Sequence, residues 1–181
     1  MLQRAVAPIN IALRQGGMIT IRPLEEADRQ PLMEFGRSLP QDDWLYLEDD
    51  LRNPDIITRL VNAHQAENWR QIVAVDDDGQ IAGYSAVRRL AGWSSHVADI
   101  QLIISERYRR HGLGTALARS IFDAARDLGA AKVIVEVLEE QTAGQAIFVR
   151  MGFHFEGRFL DHVRDRTGGR HNLVVLAYHV S

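Results

Sequence analysis

In the segment LIISERYRRHGLGTALARSIF, residues 102–122, an apolar strand runs into a short basic loop, two glycines and then an amphipathic helix. No other stretch restricts the fold as much. Leu113, Leu117, Ile121, Ala124 and Leu128 share one helical face, with Arg119, Asp123 and Arg126 largely away from it. Gly112 and Gly114 therefore stand where a strand hands over to a helix. Glycine lets the backbone approach a ligand with no intervening Cβ, and the unpaired N–H groups of the first helical turn point outward. A pyrophosphate placed there gains several donors and the positive end of the helix dipole. Arg109, Arg110 and His111 add local positive charge. The competing reading is a tight turn with solvated arginines; the apolar strand before it and the long helix after it favour the cradle.

Two nucleotide-binding patterns are excluded. A triphosphatase loop needs Lys followed by Ser or Thr, whereas Thr115 follows Gly114 directly and the one lysine of the chain is Lys132. A dinucleotide-binding turn needs a third glycine, which HGLGTAL lacks. The balance of 21 basic against 24 acidic residues, a formal charge of -3, gives nucleic acid no general attraction. Absence of cysteine removes disulfides, thiolate nucleophiles and cysteine-ligated metals together and fits a reducing compartment. No segment reaches the roughly 18–20 apolar residues of a membrane span. A cytoplasmic protein with no nucleic-acid or membrane partner is the expectation.

The rest of the chain reads as mixed α/β with no repeat. Residues 1–17 end in Gly16-Gly17 and show no sustained period, so they are expected to form a flexible extension, or an added strand in a dimer, ahead of a single domain over 18–181. A strand at Ile19–Arg22 ends at Pro23, a helix follows over 24–38, and Pro54 restarts a helix. Gln71–Val75 and Gln80–Arg88 form a hairpin about Asp76-Asp77-Asp78-Gly79. After the strand Val97–Ser105 and the glycine-opened helix come a strand at Lys132–Leu138, a short helix at Thr142–Met151 and two closing strands, Phe153–Val163 and Asn172–Val180.

Arg109-x-x-Gly112-x-Gly114, after Ile104 and Tyr108 and opening a helix, resembles the acyl-CoA-binding motif of the GCN5-related N-acetyltransferase (GNAT) superfamily. The likeness extends over roughly Met18 to Val180 and includes AIFVRMGF at 146–153. It implies a GNAT-like acyl-CoA N-acyltransferase fold: a central mixed sheet with splayed strands and flanking helices. It implies acetyl-CoA as cofactor, with the pantetheine arm on the backbone of Leu102, Ile103 and Ile104. The N–H groups from Arg110 through His111, Gly112, Leu113 and Gly114 to Thr115 would hold the pyrophosphate, with Arg109 at the motif's first position. Gln141 and Phe148 fall where the family often has an asparagine and a tyrosine beside the cofactor. Phenylalanine has no proton to give, so the family's usual general acid is missing.

The implied chemistry is acetyl transfer to a primary amine by direct attack in a ternary complex, which needs a base and a proton for the departing thiolate. Asp99, Gln101 and Ile103 share one face of their strand if no bulge intervenes, and Asp99 is a candidate base. Glu136, set among valines on the next strand, is a second, because an acid there is costly to bury without a partner. Tyr84 or Tyr178 could replace the missing acid. The histidines show no ligand spacing, and no metal is expected. Trp44 and Tyr46, flanked by Asp43 and Asp49, would suit a cationic acceptor, a small molecule or a peptide, or would simply pack the helix pair. A homodimer is compatible with the open sheet edges. The alternative function is a catalytically weak or inactive acyl-CoA-binding sensor.

Overall fold

A computed structural model describes residues 6–181, with the side chains of Trp44, Leu45, Tyr46 and His64 outside the described set. Eight strands form one sheet: β1 (Ile9–Ala12), β2 (Met18–Pro23), β3 (Trp69–Val75), β4 (Ile81–Arg89), β5 (Val97–Ile104), β6 (Lys132–Leu138), β7 (His154–Arg164) and β8 (Arg170–His179). Their spatial order is β1-β2-β3-β4-β5-β6-β8-β7. Every neighbouring pair is antiparallel except β5 and β6, which are parallel. That exception follows from the crossover helix between them, α3 (Leu113–Asp127).

The helices divide between the two faces. Leu113, Leu117 and Ile121 of α3, with Phe148 of α4 (Thr142–Arg150), pack on Ala98, Ile100 and Ile104 of β5. On the opposite face, α1 (Arg29–Ser38) and α2 (Pro54–Asn62) bring Leu32, Phe35, Ile57 and Leu60 against Tyr84, Ala86 and Ile103. Strand β5 therefore feeds alternate residues to two cores, as its period of two requires. Helix α2 starts at a sequence signal: Pro54 fixes the first turn and the Asn53 side chain accepts the Asp55 N–H at 2.9 Å.

The end of α4 explains the MGF sequence. Gly152 adopts φ +100, Gly152 N–H bonds the Val149 carbonyl at 3.0 Å, and Phe153 N–H bonds the Phe148 carbonyl at 3.0 Å. This is a Schellman ending with its usual apolar contact, the Phe148 and Phe153 rings meeting edge-on at 5.2 Å. Such a ring pair adds about 0.5–1.5 kcal/mol beyond its buried area.

Part of the segment read as a flexible extension is a strand. Ile9–Ala12 pairs antiparallel with β2, from Ile9 opposite Ile21 to Ala12 opposite Met18, and Leu13 joins the core. Four residues are too few to display a period, so only the partner strand reveals the element. The edge is occupied within this chain.

Candidate active site

The β5–β6 pairing runs from Val97 opposite Lys132 to Ile100 opposite Val135. Beyond that the strands part. β5 stays bonded to β4 as far as Ile104, and β6 stays bonded to β8 as far as Leu138. The β6-facing edge of Gln101–Ile104 is thus left without a strand partner, and a wedge opens through the sheet. An unpaired strand edge is a template for an amide-rich ligand. At its rim, Gln141 accepts the Leu138 N–H through Oε1 at 2.9 Å, while its Nε2 is buried with no partner among the described residues.

The glycine-opened helix begins beside this wedge. Arg110 has φ +67 and Gly112 φ +85, and no side chain caps α3. A Cβ at Gly112 would meet no atom within 4 Å, so the position is glycine for its backbone conformation and leaves open space in front of the first-turn amides. Leu113 is fully buried and locks the turn to the core. Gly114 has a different job. A Cβ there would meet Ile147 Cδ1 at 2.9 Å, so its lack of a side chain lets α3 approach α4. Thr115 is half-buried in the same turn.

Arg109 corrects one part of the sequence reading. Its Nε donates to the Ile104 carbonyl at 3.1 Å and its guanidinium pairs with the buried carboxylate of Asp43. The charge is taken up by an internal ion pair that holds the loop to the turn Gln41–Tyr46. Positive potential at the helix mouth comes from Arg110, His111 and the peptide dipoles. An uncapped helix N-terminus, an unpaired strand edge and an orphaned amide nitrogen together fit the pyrophosphate and pantetheine of coenzyme A.

On the α1–α2 side, a cavity of about 340 Å³ is lined by Glu48, Asp49, Arg59, Trp69, Arg88, Asp99 and Gln101. The β4–β5 register is unbroken, so Asp99, Gln101 and Ile103 do face one way. Carboxylate oxygens of Glu48, Asp99 and Glu136 lie within 4.8 Å of one another. Burial, reinforced by the charges of Glu136 and Glu48 and opposed by Arg88, pushes the Asp99 carboxyl up to about 8. Burial and Glu48 also raise Glu136, against a lowering by His162. A carboxyl group that exchanges its proton near neutrality, set in a cavity, is matched to general-base work.

The other expected residues are placed as follows. Tyr84 is fully buried in the second core; its hydroxyl has no partner among the described residues, and it does not line the cavity. Burial raises its phenol well above the usual range. Phe148 is 3% exposed and serves the α4 ending rather than presenting an edge to solvent. Tyr178 packs edge-on against Phe122 at 5.0 Å. Trp44 and Tyr46 fall on the Gln41–Tyr46 turn, which lies against β5 and β6, and their side chains lie outside the described residues. Sequence spacing missed Trp69 and Arg88, whose only signal is cross-strand register, and Glu48 and Arg59, which a loop and helix α2 bring to the cavity. It also missed the approach of His154, Glu156 and His179 to within 4.8 Å on an exposed face, where Lys132 already pairs with Glu156.

The fold and this split sheet define an acyltransferase-type domain with an open helix mouth on one face and an acidic cavity on the other. The profile of the acetyltransferase (GNAT) family matches residues 33–153, and the chain belongs to that family. It is 34% identical over 88 residues to streptothricin acetyltransferase from Streptomyces lavendulae, an alignment covering 49% of this chain and 46% of that protein. The chain spans about half the length of the curated relatives it matches. Among solved structures, yncA from Salmonella typhimurium, determined with its cofactor acetyl-CoA, superposes with a TM-score of 0.77 at 16% identity, covering 90% of this chain and 94% of the other. The ribosomal-protein-S5-alanine acetyltransferase from Vibrio fischeri gives 0.79 at 11% identity, covering 94% and 96%. At these identities the two structures establish the shared fold.

Proposed function

We propose that this protein transfers an acetyl group from acetyl-CoA to a primary amine by direct attack in a ternary complex. The observation that carries this reading is the meeting, at one break in the sheet, of an uncapped helix mouth and unpaired strand edge with the Asp99, Glu48 and Glu136 cluster. Acetyl-CoA, when bound, supplies an activated thioester. The first-turn amides from Leu113 to Thr115 would hold its pyrophosphate, and the free edge of Gln101–Ile104 would align the pantetheine arm.

Asp99 receives the proton of the incoming ammonium, directly or through one water, and so delivers a neutral nucleophile. Unpaired β5 N–H groups stabilise negative charge developing on the acyl oxygen. With Phe148 in place of a hydroxyl donor, the departing thiolate takes its proton from solvent, which the modest basicity of a thiolate permits. The names of the curated relatives support acetyl transfer as the activity class.

Phe148 also favours a second reading, a sensor that binds acyl-CoA and transfers nothing. Calorimetric CoA titration beside thiol release with an amine panel separates the two: binding without release identifies the sensor. Gly112→Ala tests the cradle. The φ of +85 makes any side chain cost about 1 kcal/mol of stability, and a Cβ among the phosphate-facing amides should weaken CoA binding by about tenfold or more. A folded variant with unchanged CoA affinity would refute the cradle.

A further inference from the structure

The acidic cavity has an opposite pole. Trp69, Arg88 and Asp99 form one cross-strand row, Trp69 opposite Arg88 on β3–β4 and Arg88 opposite Asp99 on β4–β5. Directly opposed residues place their side chains on one face about 5 Å apart at Cβ. Arg88 and Asp99 nevertheless form no ion pair. The Arg88 guanidinium is turned the other way, 5.4 Å over the Trp69 ring, while the Asp99 carboxyl lies with Glu136 and Glu48.

Arg59 is a different kind of cation. It also sits over Trp69, at 5.9 Å, but its Nη2 bonds Asp49 Oδ1 at 2.6 Å and its charge is cancelled. Arg88 is therefore the guanidinium of the cavity wall with no carboxylate within ion-pair distance among the described residues. Its five N–H donors match the two oxygens of a carboxylate, and its flat face rests on an aromatic ring that limits how it can turn. The next row is small-sided at its centre: Ala86 separates Gln71 from Gln101, and the buried Gln71 Nε2 has no partner among the described residues. A simple amine or a polycation would satisfy the acidic pole and leave Arg88 facing its own charge.

We infer that the acceptor is an amino-acid-like zwitterion, its ammonium group entering at Asp99, Glu48 and Glu136 and its carboxylate held by Arg88 over Trp69. This rests on the transferase reading and adds a substrate class to it. Arg88 is a specificity-determining residue in this arrangement and takes no part in proton transfer. The reaction is unchanged: one ammonium proton passes to Asp99, the N–C bond to the acetyl carbon forms, the C–S bond breaks, the second nitrogen proton passes to solvent as the amide forms, and the departing thiolate takes a proton from solvent.

The test uses the full chain saturated with CoA, titrated calorimetrically with L-leucine, L-phenylalanine, L-glutamate and L-lysine, and with the amide and the decarboxylated amine of each. At least one free acid should bind about tenfold or more tightly than its amide and its decarboxylated amine, the worth of one charge-assisted bidentate contact. Arg88→Met keeps an apolar stem over Trp69 and removes the charge, and in it that ratio should collapse to about one. Equal binding of acid, amide and amine, binding of none, or a ratio that survives in Arg88→Met would each overturn the inference. Thiol release from acetyl-CoA on the same panel keeps the two readings apart. Selective binding with no release sinks the transferase reading alone, and release indifferent to the carboxylate sinks the zwitterion alone.

Discussion

Asp99→Asn should make the protein more stable and less active, and both effects should depend on pH. The carboxyl is raised from 3.8 to about 8 by burial and by the charges of Glu136 and Glu48. At about 1.4 kcal/mol per unit, this rise of about four units sets a ceiling of about 6 kcal/mol on the cost of the ionised form. Cavity water and side-chain relaxation reduce what an experiment records, so a gain of about 2 kcal/mol is expected for the uncharged asparagine. A raised acid binds its proton more tightly folded than unfolded, so wild-type stability falls as pH climbs from about 4 to about 8 and is level above that. The advantage of Asp99→Asn should therefore be absent near pH 4, grow through neutrality and plateau above pH 8. For a chain of 181 residues, about 2 kcal/mol corresponds to roughly 4–8 °C in Tm. In kcat/KM, the wild type should show an ionisation near 8 below which activity declines, and the variant should lose about 10²–10⁴-fold and that limb of the profile. Scanning calorimetry between pH 4 and 9, beside thiol-release kinetics, reads both. A variant no more stable at pH 9, or one that keeps the ionisation, would refute the assignment of a desolvated base.

Tyr84→Phe removes a fully buried hydroxyl with no partner among the described residues, so stability should be unchanged or rise by up to about 1 kcal/mol, with turnover retained. A clear loss of stability in denaturant titration, or a loss of turnover, would show a hidden partner or a role as proton donor. His171 ties the β7–β8 turn to the loop before α4, its Nδ1 on Glu140 at 2.7 Å and its Nε2 on Asp165 at 2.8 Å, and both bonds raise its pKa. That contribution is fully present below the ordinary histidine value and lost as pH rises through the higher folded value. Amide exchange across residues 165–171, corrected for intrinsic rate, should accelerate on going from pH 6 to pH 9 and become insensitive to this change in His171→Ala; protection that stays constant in the wild type would contradict the tether.

The mouth of α3 was legible because everything it needs is contiguous. An apolar strand, a basic loop, Gly112 and an amphipathic helix follow one another, and helix starts, left-handed glycines and apolar periods are properties of a few neighbouring residues. The same holds for Phe148 and Gly152-Phe153, where one helix ending accounts for the whole pattern. Asp99 and Glu136 could be singled out as costly acids on apolar strands, and the facing of Asp99 followed from alternation alone.

What the sequence could not reveal is who stands beside whom. Arg109 read as one of three basic residues lending charge to the helix mouth until the fold brought Asp43 to it across 66 positions. Ile9–Ala12 became a strand only because β2 presented a free edge at its register. Arg88 came to face Trp69 and Asp99 through pairings between strands whose register no local period encodes, and Glu48 joined Asp99 and Glu136 from a loop that the packing of the helix pair sets beside them. By itself the sequence determined the elements long enough to show a period, the glycine-opened helix and the apolar faces that drive the layers together, because those depend on backbone conformation and short-range periodicity. The tertiary structure alone decided the raised Asp99 and the uncompensated Arg88, because desolvation and charge proximity act through space between residues that the chain keeps far apart.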